Sequence, residues 1–368
     1  MKIVYLMDSL NRGGAETLAL DVCRNAKNNG LDIIFVATGG GLLEDDFRVS
    51  GVEFIRLNRR LPLDIGLVAK IRKILTSRAI DIIHVHQAVE AIHAYSAAFG
   101  TKTKIVFTHH GFIPDNKNLY ALKFLLTRID QNIVCSKALL EWYQTETKLN
   151  FPANTQIIQN GVDPDRITAP AKEIRDELAI PEKATLFGMI GNFYRDPRKD
   201  QLTLCKALPK IITKIPDAYC IFVGKTEPGG EAVFEECRSI CESNNLTHRV
   251  NFDGSRNDIP YVLKSLDIFV LSSLHEGFPI SVLEAMLSGT PCLLSDIKPN
   301  LEISKSGVFA EVFETQNENE LADKLIRLAN DKEFMFDLAI RAKNFANREY
   351  SIDSHLNKLK RLYESVIL

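Results

Sequence analysis

The stretch "HEGFPISVLEA", residues 275–285, sets two glutamates, Glu276 and Glu284, eight positions apart across a Gly-Phe-Pro turn. The run before it, "LDIFVLSS", is apolar and ends in two serines, the pattern of a buried parallel strand running into a loop. Pro279 suits the first position of a helix, and Gly289 is its expected stop after "ISVLEAMLS". A strand, a turn and a helix in that order point free backbone N–H groups and the positive end of the helix dipole at the turn. Such a place draws phosphate, not carboxylate. Glu276 and Glu284 must therefore address what surrounds a phosphate: hydroxyl groups, or positive charge.

Cations for that phosphate stand in "GNFYRDPRKDQ", which follows the first strand of the second half of the chain. Lys199 is expected to open the next helix and reach the phosphates, with Arg195 or Arg198 assisting. In the first half, Gly13 and Gly14 lie between a strand and a helix and suit close approach of a ligand to the backbone. The turn is not G-x-G-x-x-G, and "FVATGGG" lacks the acid that would grip an adenosine ribose, which disfavours a nicotinamide dehydrogenase. His110, in "FTHHG", ends a strand at the edge where open α/β sheets hold ligands. In "HVH", residues 84–86, only one imidazole is expected to face a given side. "DPD" at 163–165 superficially matches an Asp-x-Asp metal motif, but it lies in a linker with proline inside, and no metal site is assigned.

The elements that must position these residues alternate along the chain. Strand-like runs such as "KIVYLMD", "LDIIFVATG", "DIIHVHQ" and "KIVFTHHG" are separated by segments of helical periodicity, which argues a parallel, doubly wound α/β sheet. The pattern restarts at "TLFGMIGNF" after a linker at "NGVDPDRITAP", so two domains are expected, residues 1–162 and 163–346. The last stretch, 347–368, reads as an amphipathic helix behind a serine cap and needs a surface, expected on the first domain. A chain of 368 residues is long for one core, and 45% hydrophobic with 25% charged residues is a globular composition. No segment is apolar enough to span a membrane, and Asp8 interrupts the first apolar run, so that run is read as a strand and not as a signal peptide. Seven scattered cysteines imply a reduced, cytoplasmic chain, and Cys237 with Cys241 lack partners for a zinc site. The net charge of −2 conceals an asymmetry: residues 1–160 carry 19 Lys+Arg against 15 Asp+Glu, the remainder 26 against 32. No basic stripe interleaved with aromatics argues for nucleic acid, whereas a slightly basic first half suits an anionic membrane surface.

In chain order, the Gly-Gly turn, "HHG", "SKA" at 136–138, "NGVD", "GN…RK", "IFVGK", the F-x-G-S-R-x-D run at 252–258 and "EGFPISVLE" resemble family 4 of the retaining glycosyltransferases, the glycosyl transferases group 1. The resemblance covers essentially the whole chain, and the E-x7-E run followed by "AMLSGTP" is its most specific element. It implies the GT-B fold: two facing Rossmann-like domains, with the acceptor on the first and the sugar nucleotide mainly on the second. It further implies retaining transfer of a hexose from a nucleoside diphosphate sugar, uridine before guanosine, with no cofactor and no essential metal. The acceptor would be a saccharide or lipid-linked saccharide of cell-surface polysaccharide biosynthesis, reached from the cytoplasm or at the inner face of the membrane.

By the same resemblance Glu284 would accept hydrogen bonds from the ribose hydroxyls and Glu276 would lie beside the donor sugar. Lys199 would neutralise the leaving phosphate. The segment Gly277, Phe278, Pro279, Ile280, Ser281 and Val282 would hold the diphosphate through its backbone, and His110 would face the donor sugar. Gly13, Gly14, Gly224 and Arg256 would complete the donor site. Asn192 stands where many members carry arginine, with Arg195 as its expected substitute. A sugar-nucleotide epimerase of the same fold and a non-catalytic sugar-nucleotide-binding protein are the alternatives. Finally, residues 113–129, "IPDNKNLYALKFLLTRI", read either as a core-packing helix with a wet face or as a helix that meets a lipid diphosphate-linked acceptor, with Lys117, Lys123 and Arg128 drawn to the bilayer.

Overall fold

The computed structural model describes residues 1–112, 116–167, 174–196 and 198–368, which form two compact units. One unit comprises residues 1–162 and 350–368, the other residues 163–349.

The first unit is built on seven strands: β1 (Lys2–Met7), β2 (Asp32–Ala37), β3 (Glu53–Arg56), β4 (Ile82–Val85), β5 (Lys104–His109), β6 (Gln131–Val134) and β7 (Thr155–Ile157). They pair in parallel in the order β3-β2-β1-β4-β5-β6-β7. All of β1 after Lys2 is buried, as is all of β4, because a parallel sheet is covered on both faces. The chain runs one way from β1 to β3 and the other way from β4 to β7, so right-handed crossovers place the helices on opposite faces. The helices Ile65–Ser77, Ala88–Ala98 and Asn116–Leu125 pack side by side on one of them. The helix Gly14–Asn25 packs against the last helix, Ile352–Ile367.

That last helix starts at Ser351, whose hydroxyl accepts from the Ser354 N–H at 3.3 Å. It is tied in by Val162 N to Tyr350 O (3.0 Å), Ile352 N to Val162 O (2.8 Å) and His355 Nδ1 to Gln159 O (2.8 Å). The helix before it, Lys332–Tyr350, runs unbroken past position 346, so the chain passes from one unit to the other at Glu349–Tyr350.

The second unit repeats the plan with β8 (Thr185–Ile190), β9 (Ala218–Val223), β10 (Val250–Phe252), β11 (Ile268–Leu271), β12 (Cys292–Ser295) and β13 (Glu311–Phe313). The order is β10-β9-β8-β11-β12-β13, again parallel throughout. In each sheet the strand order reverses once, between β1 and β4 and between β8 and β11. A crevice opens beyond the carboxyl ends of the strands at such a reversal, which is where open sheets of this kind hold ligands. All seven cysteines are free and buried, and among the described residues no helix is long and apolar enough to cross a membrane.

Candidate active site

In the second unit the segments that leave β8 and β11 reach each other through the backbone. Lys199 and Ser273 form an antiparallel bridge, Asp200 N donates to Ser272 O at 2.9 Å, and Leu274 N donates to Arg198 O at 3.0 Å. This pairing delivers Lys199 Nζ to within 2.5 Å of Glu276 Oε1, and the Ser273 hydroxyl donates to the same oxygen at 2.8 Å. The two charged side chains are only 14% and 11% exposed, so each is the other's main compensation for lost water. Gly191 makes the room: a β-carbon there would stand 3.1–3.4 Å from the Lys199 methylenes. The helix Gln201–Lys214 is capped by Asp200, which accepts from Thr203 N at 3.2 Å and Thr203 Oγ1 at 2.6 Å. Lys199 therefore precedes the cap and does not open the helix.

The helix Ile280–Ser288 follows the same turn. Pro279 is its N-cap, one position earlier than expected, in extended backbone and with no side-chain cap, and Gly289 ends it at φ 82° in the left-handed region that glycine tolerates. Phe278 and Val282 are core residues at 3% and 0% exposure and Ile280 is buried as well. What the segment from Gly277 to Val282 offers outward is backbone, with half-buried Ser281. Glu284 lies inside the helix at 8% side-chain exposure, and Arg166 Nη1 donates to its Oε1 at 2.8 Å. Arg166 sits on the short helix Pro164–Ile167, which packs on the helix of Glu284. Sequence reasoning missed it, having weighed this stretch of the linker only as an Asp-x-Asp metal motif, though a glutamate inside an apolar helix calls for a buried cation.

The remaining cations and glycines of this half are placed as follows. Gly224 has φ 158°, and a β-carbon on it would lie 2.2 Å from Gly191 O, so the ends of β8 and β9 are in direct backbone contact. Asn192 turns toward that contact: its Nδ2 donates to Glu227 Oε1 at 2.9 Å and its Oδ1 accepts from Lys225 N at 3.1 Å. Arg195 is exposed, with its stem against Gly229. Arg198 is bound to Asp196 at 2.5 Å and lies over the Tyr194 ring at 4.8 Å. Arg256 is held by Asp258 and Glu177, each at 2.8 Å, and by Asp253 at 2.5 Å, and the first two bonds above all push its pKa further up. In the "DPD" run, Asp165 N donates to Asp163 Oδ1 at 2.9 Å. Among the described residues no three His, Cys, Asp or Glu side chains are placed to hold a metal.

In the first unit His110 follows β5, and its Nε2 shares a hydrogen bond of 2.9 Å with His86 Nδ1. The His84 and His86 rings stack at 4.5 Å. Residues two apart on a strand share a face, so the expectation that only one of them faces a given side was wrong. His84 is held between Tyr363 OH (2.6 Å) and Thr108 Oγ1 (2.7 Å). Burial lowers the pKa of His84 and of His86, and it brings that of His110 down to about 3 with help from His355 and His109. Neutral imidazoles each carry one donor and one acceptor, which lets His86 and His110 pair; the buried Nε2 of His86 has no hydrogen-bond partner among the described residues.

Gly13 is the uncapped N-cap of the helix that begins at Gly14, and a β-carbon on it would meet Glu16 Oε2 at 2.6 Å. The loop after β2 lies directly on the lead-in to this turn, since β-carbons on Gly39 and Gly41 would stand 2.0 Å from Asp8 O and 2.2 Å from Leu10 C. The sequence "TGGG", read above only for its missing acid, is thus a steric requirement.

Two family models together match nearly the whole chain: Glycosyltransferase Family 4 over residues 12–166 and Glycosyl transferases group 1 over residues 170–345. The chain belongs to the group 1 glycosyltransferases. This glycosyltransferase is 27% identical over 386 residues to the UDP-Gal:alpha-D-GlcNAc-diphosphoundecaprenol alpha-1,3-galactosyltransferase of Escherichia coli, covering 99% of this chain and 96% of the relative. It is 26% identical over 318 residues to the N-acetyl-alpha-D-glucosaminyl L-malate synthase of Bacillus anthracis, covering 83% and 80%. Among solved structures, Anabaena Alr3699/HepE in complex with UDP and glucose superposes with a TM-score of 0.87 at 22% identity, covering 99% of this chain and 100% of that one. A glycosyltransferase from Rickettsia africae superposes with a TM-score of 0.86 at 19% identity, covering 100% and 98%. The fold is GT-B, built of two Rossmann-like units. The protein is an enzyme that transfers a sugar from a nucleotide sugar, which sets aside the epimerase and the non-catalytic binder.

Proposed function

We propose that this glycosyltransferase moves a hexose from a nucleoside diphosphate sugar, uridine before guanosine, to a hydroxyl of a saccharide or lipid-linked saccharide, with retention of configuration and without a metal ion. Its setting is cell-surface polysaccharide biosynthesis, in the cytoplasm at the inner face of the membrane. The observation that carries the reading is the Lys199–Glu276 pair beside the uncapped start of the helix Ile280–Ser288, at the reversal between β8 and β11. One small site thus offers positive charge and backbone donors to a diphosphate and a carboxylate to the sugar attached to it. In the transfer, the bond from the anomeric carbon to the diphosphate oxygen breaks and a bond to the acceptor oxygen forms on the same face. The acceptor's proton leaves with the diphosphate. Lys199 offsets the charge growing on the leaving phosphate, Glu276 the positive charge on the sugar, and Glu284, fixed by Arg166, receives the ribose hydroxyls. The uridine nucleotide and the diphosphate-linked lipid in the Escherichia coli relative's name favour that donor and that acceptor class.

The test is a panel of uridine and guanosine diphosphate sugars with an undecaprenyl-type diphosphate N-acetylglucosamine analogue and with free saccharides, run with EDTA present. Acceptor-dependent release of nucleotide in EDTA, and a product with the anomeric configuration of the donor by proton NMR, are expected. An inverted product, or activity lost in EDTA and restored by magnesium or manganese, would overturn the corresponding part.

A further inference from the structure

We propose that His86 is a positioning residue for the transfer: it fixes His110 as the imidazole that carries its proton on Nδ1, so that His110 offers an N–H donor to an oxygen of the bound sugar. This deepens the proposed reaction and rests on the reading that His110 meets the donor sugar.

One proton lies between the two rings, in the 2.9 Å hydrogen bond of His86 Nδ1 with His110 Nε2. Whichever nitrogen carries it, the state of the other nitrogen on both rings is then set. With the proton on His110, His86 must carry its own on Nε2, which becomes a buried N–H with no hydrogen-bond partner among the described residues. With the proton on His86, the same Nε2 is a bare lone pair. Orphaned N–H groups are the rarer of the two in native interiors, so the proton belongs to His86. His86 Nδ1–H then donates to His110 Nε2, and the His110 proton is left on Nδ1. No hydrogen bond reaches that nitrogen among the described residues, and His110 is half-buried at the carboxyl end of β5. Burial, with His355 and His109, holds His110 at about 3, and burial, with His84, His110 and His355, lowers His86. Both rings therefore stay neutral, and the single shared proton decides the tautomer.

The pair is braced on both sides. The His86 ring stacks on His84 at 4.5 Å and lies 4.8 Å from the Tyr5 ring. His84 is in turn gripped at both nitrogens, by Tyr363 of the last helix and by Thr108 of β5. His110 is held through its backbone: its carbonyl accepts from Cys135 Sγ at 3.5 Å, and that of Gly111 accepts from Tyr143 OH at 2.5 Å. Residues 113–115 lie outside the described residues. The helix Asn116–Leu125 beyond them buries Leu122 and Leu125, and Leu126 follows them into the core. Lys117, Lys123 and Arg128 stay exposed, so 113–129 takes the core-packing reading with a wet face. Neither ring can turn over without breaking a buried contact. A fixed Nδ1–H selects an oxygen lone pair, which a sugar supplies, and rejects a cationic group.

Nitrogen-15 NMR of the full chain, labelled at histidine, reads the tautomer, because protonated and bare ring nitrogens resonate far apart. The His110 signals are those lost in His110→Asn. Without any nucleotide or sugar, wild type is expected to carry the proton on Nδ1 in both His86 and His110 between about pH 6 and pH 8. In His86→Leu, His110 should populate both tautomers, and turnover should fall about tenfold with little change in donor KM. In His86→Asn the side-chain amide can stand where Nδ1 stood. It should keep the wild-type tautomer and bring turnover back to within about threefold. Rates are taken per folded protein from thermal unfolding of each variant; a packing role alone would lower the melting temperature and leave tautomer and rate in place. A wild-type His110 protonated on Nε2 would overturn the proposal. So would His86→Leu with the wild-type tautomer and turnover, or His86→Asn as slow as His86→Leu. Failure of the glycosyltransferase reading shows separately, as wild type that releases no nucleotide in response to acceptor, and would remove the role given to His110 while leaving its tautomer.

Discussion

Replacing Glu276 by glutamine removes the negative charge 2.5 Å from Lys199 Nζ and keeps the shape and the oxygen that accepts from Ser273. With the pair 14% and 11% exposed, what goes is the opposite charge that strengthens this hydrogen bond, a loss within about 1.5–3 kcal/mol, and Glu276→Gln is expected to unfold more easily by up to that amount. The effect on a bare nucleoside diphosphate runs the other way. In the unliganded protein Lys199 is committed to Glu276, so the variant releases the cation, and uridine diphosphate should bind as tightly as to wild type or up to about tenfold more tightly. Turnover of the sugar donor should nevertheless fall about 10²–10³-fold, because the group proposed to meet the growing positive charge is gone. Lys199→Ala should lose both nucleotide affinity and turnover. The double variant should be more stable than the sum of the single losses, with a coupling of about 1–3 kcal/mol. Urea denaturation, calorimetric titration with uridine diphosphate and initial rates of nucleotide release measure the three quantities. If Glu276→Gln weakens bare nucleotide as much as Lys199→Ala does, or if the stability losses simply add, the pair is not the coupled unit described above.

Glu284→Gln should weaken bare nucleotide by about 1.5–3 kcal/mol in the same titration, since the role proposed for Glu284 is to receive the ribose hydroxyls and not the sugar. Arg166→Ala strips a cation from a carboxylate that is 8% exposed and should cost roughly 3 kcal/mol in urea, much of it recovered in Arg166→Ala/Glu284→Gln. His109 and His355 are buried with pKa values lowered to about 4, below the ordinary value near 6.5 that the unfolded chain retains. The unfolded state then takes up protons first, so their stabilisation is complete above about pH 6.5 and is lost as pH falls toward 4, by roughly 1.4 kcal/mol per pH unit for each imidazole. Equal urea midpoints at pH 7 and pH 5 would refute this. Glu90 works in the opposite direction: burial first, then Asp8, raises its carboxyl to about 7, so its contribution is present at low pH and lost as pH rises through 7. Glu90→Gln should therefore raise the melting temperature at pH 8 and leave it nearly unchanged at pH 5.

Much of the architecture was legible because it is written in short-range terms. β-rich runs alternating with helical periodicity, the serine cap at Ser351 and the glycine stop at Gly289 depend on hydrogen bonds and steric freedom within a few residues. The Glu276 turn and the helix carrying Glu284 were readable for the same reason, to within one position at Pro279. The pairing of the charges was not. Lys199 meets Glu276 across 77 positions and Arg166 meets Glu284 across 118, because β8 and β11 are neighbours in the sheet and because a short helix in the linker packs on the helix of Glu284. Arg256, which the resemblance assigns to the donor site, is enclosed by Asp253, Asp258 and distant Glu177, partners that its neighbours in sequence show only in part. The exposure of Leu61, Leu63 and Ile65 likewise has no signature of its own, since Leu-Pro-Leu reads as core until the sheet shows which side faces water. A sequence determines which residues can form a strand, a turn or a cap. Which strand ends come to lie side by side, and so which charges must neutralise one another, is decided only when the sheet closes around its core.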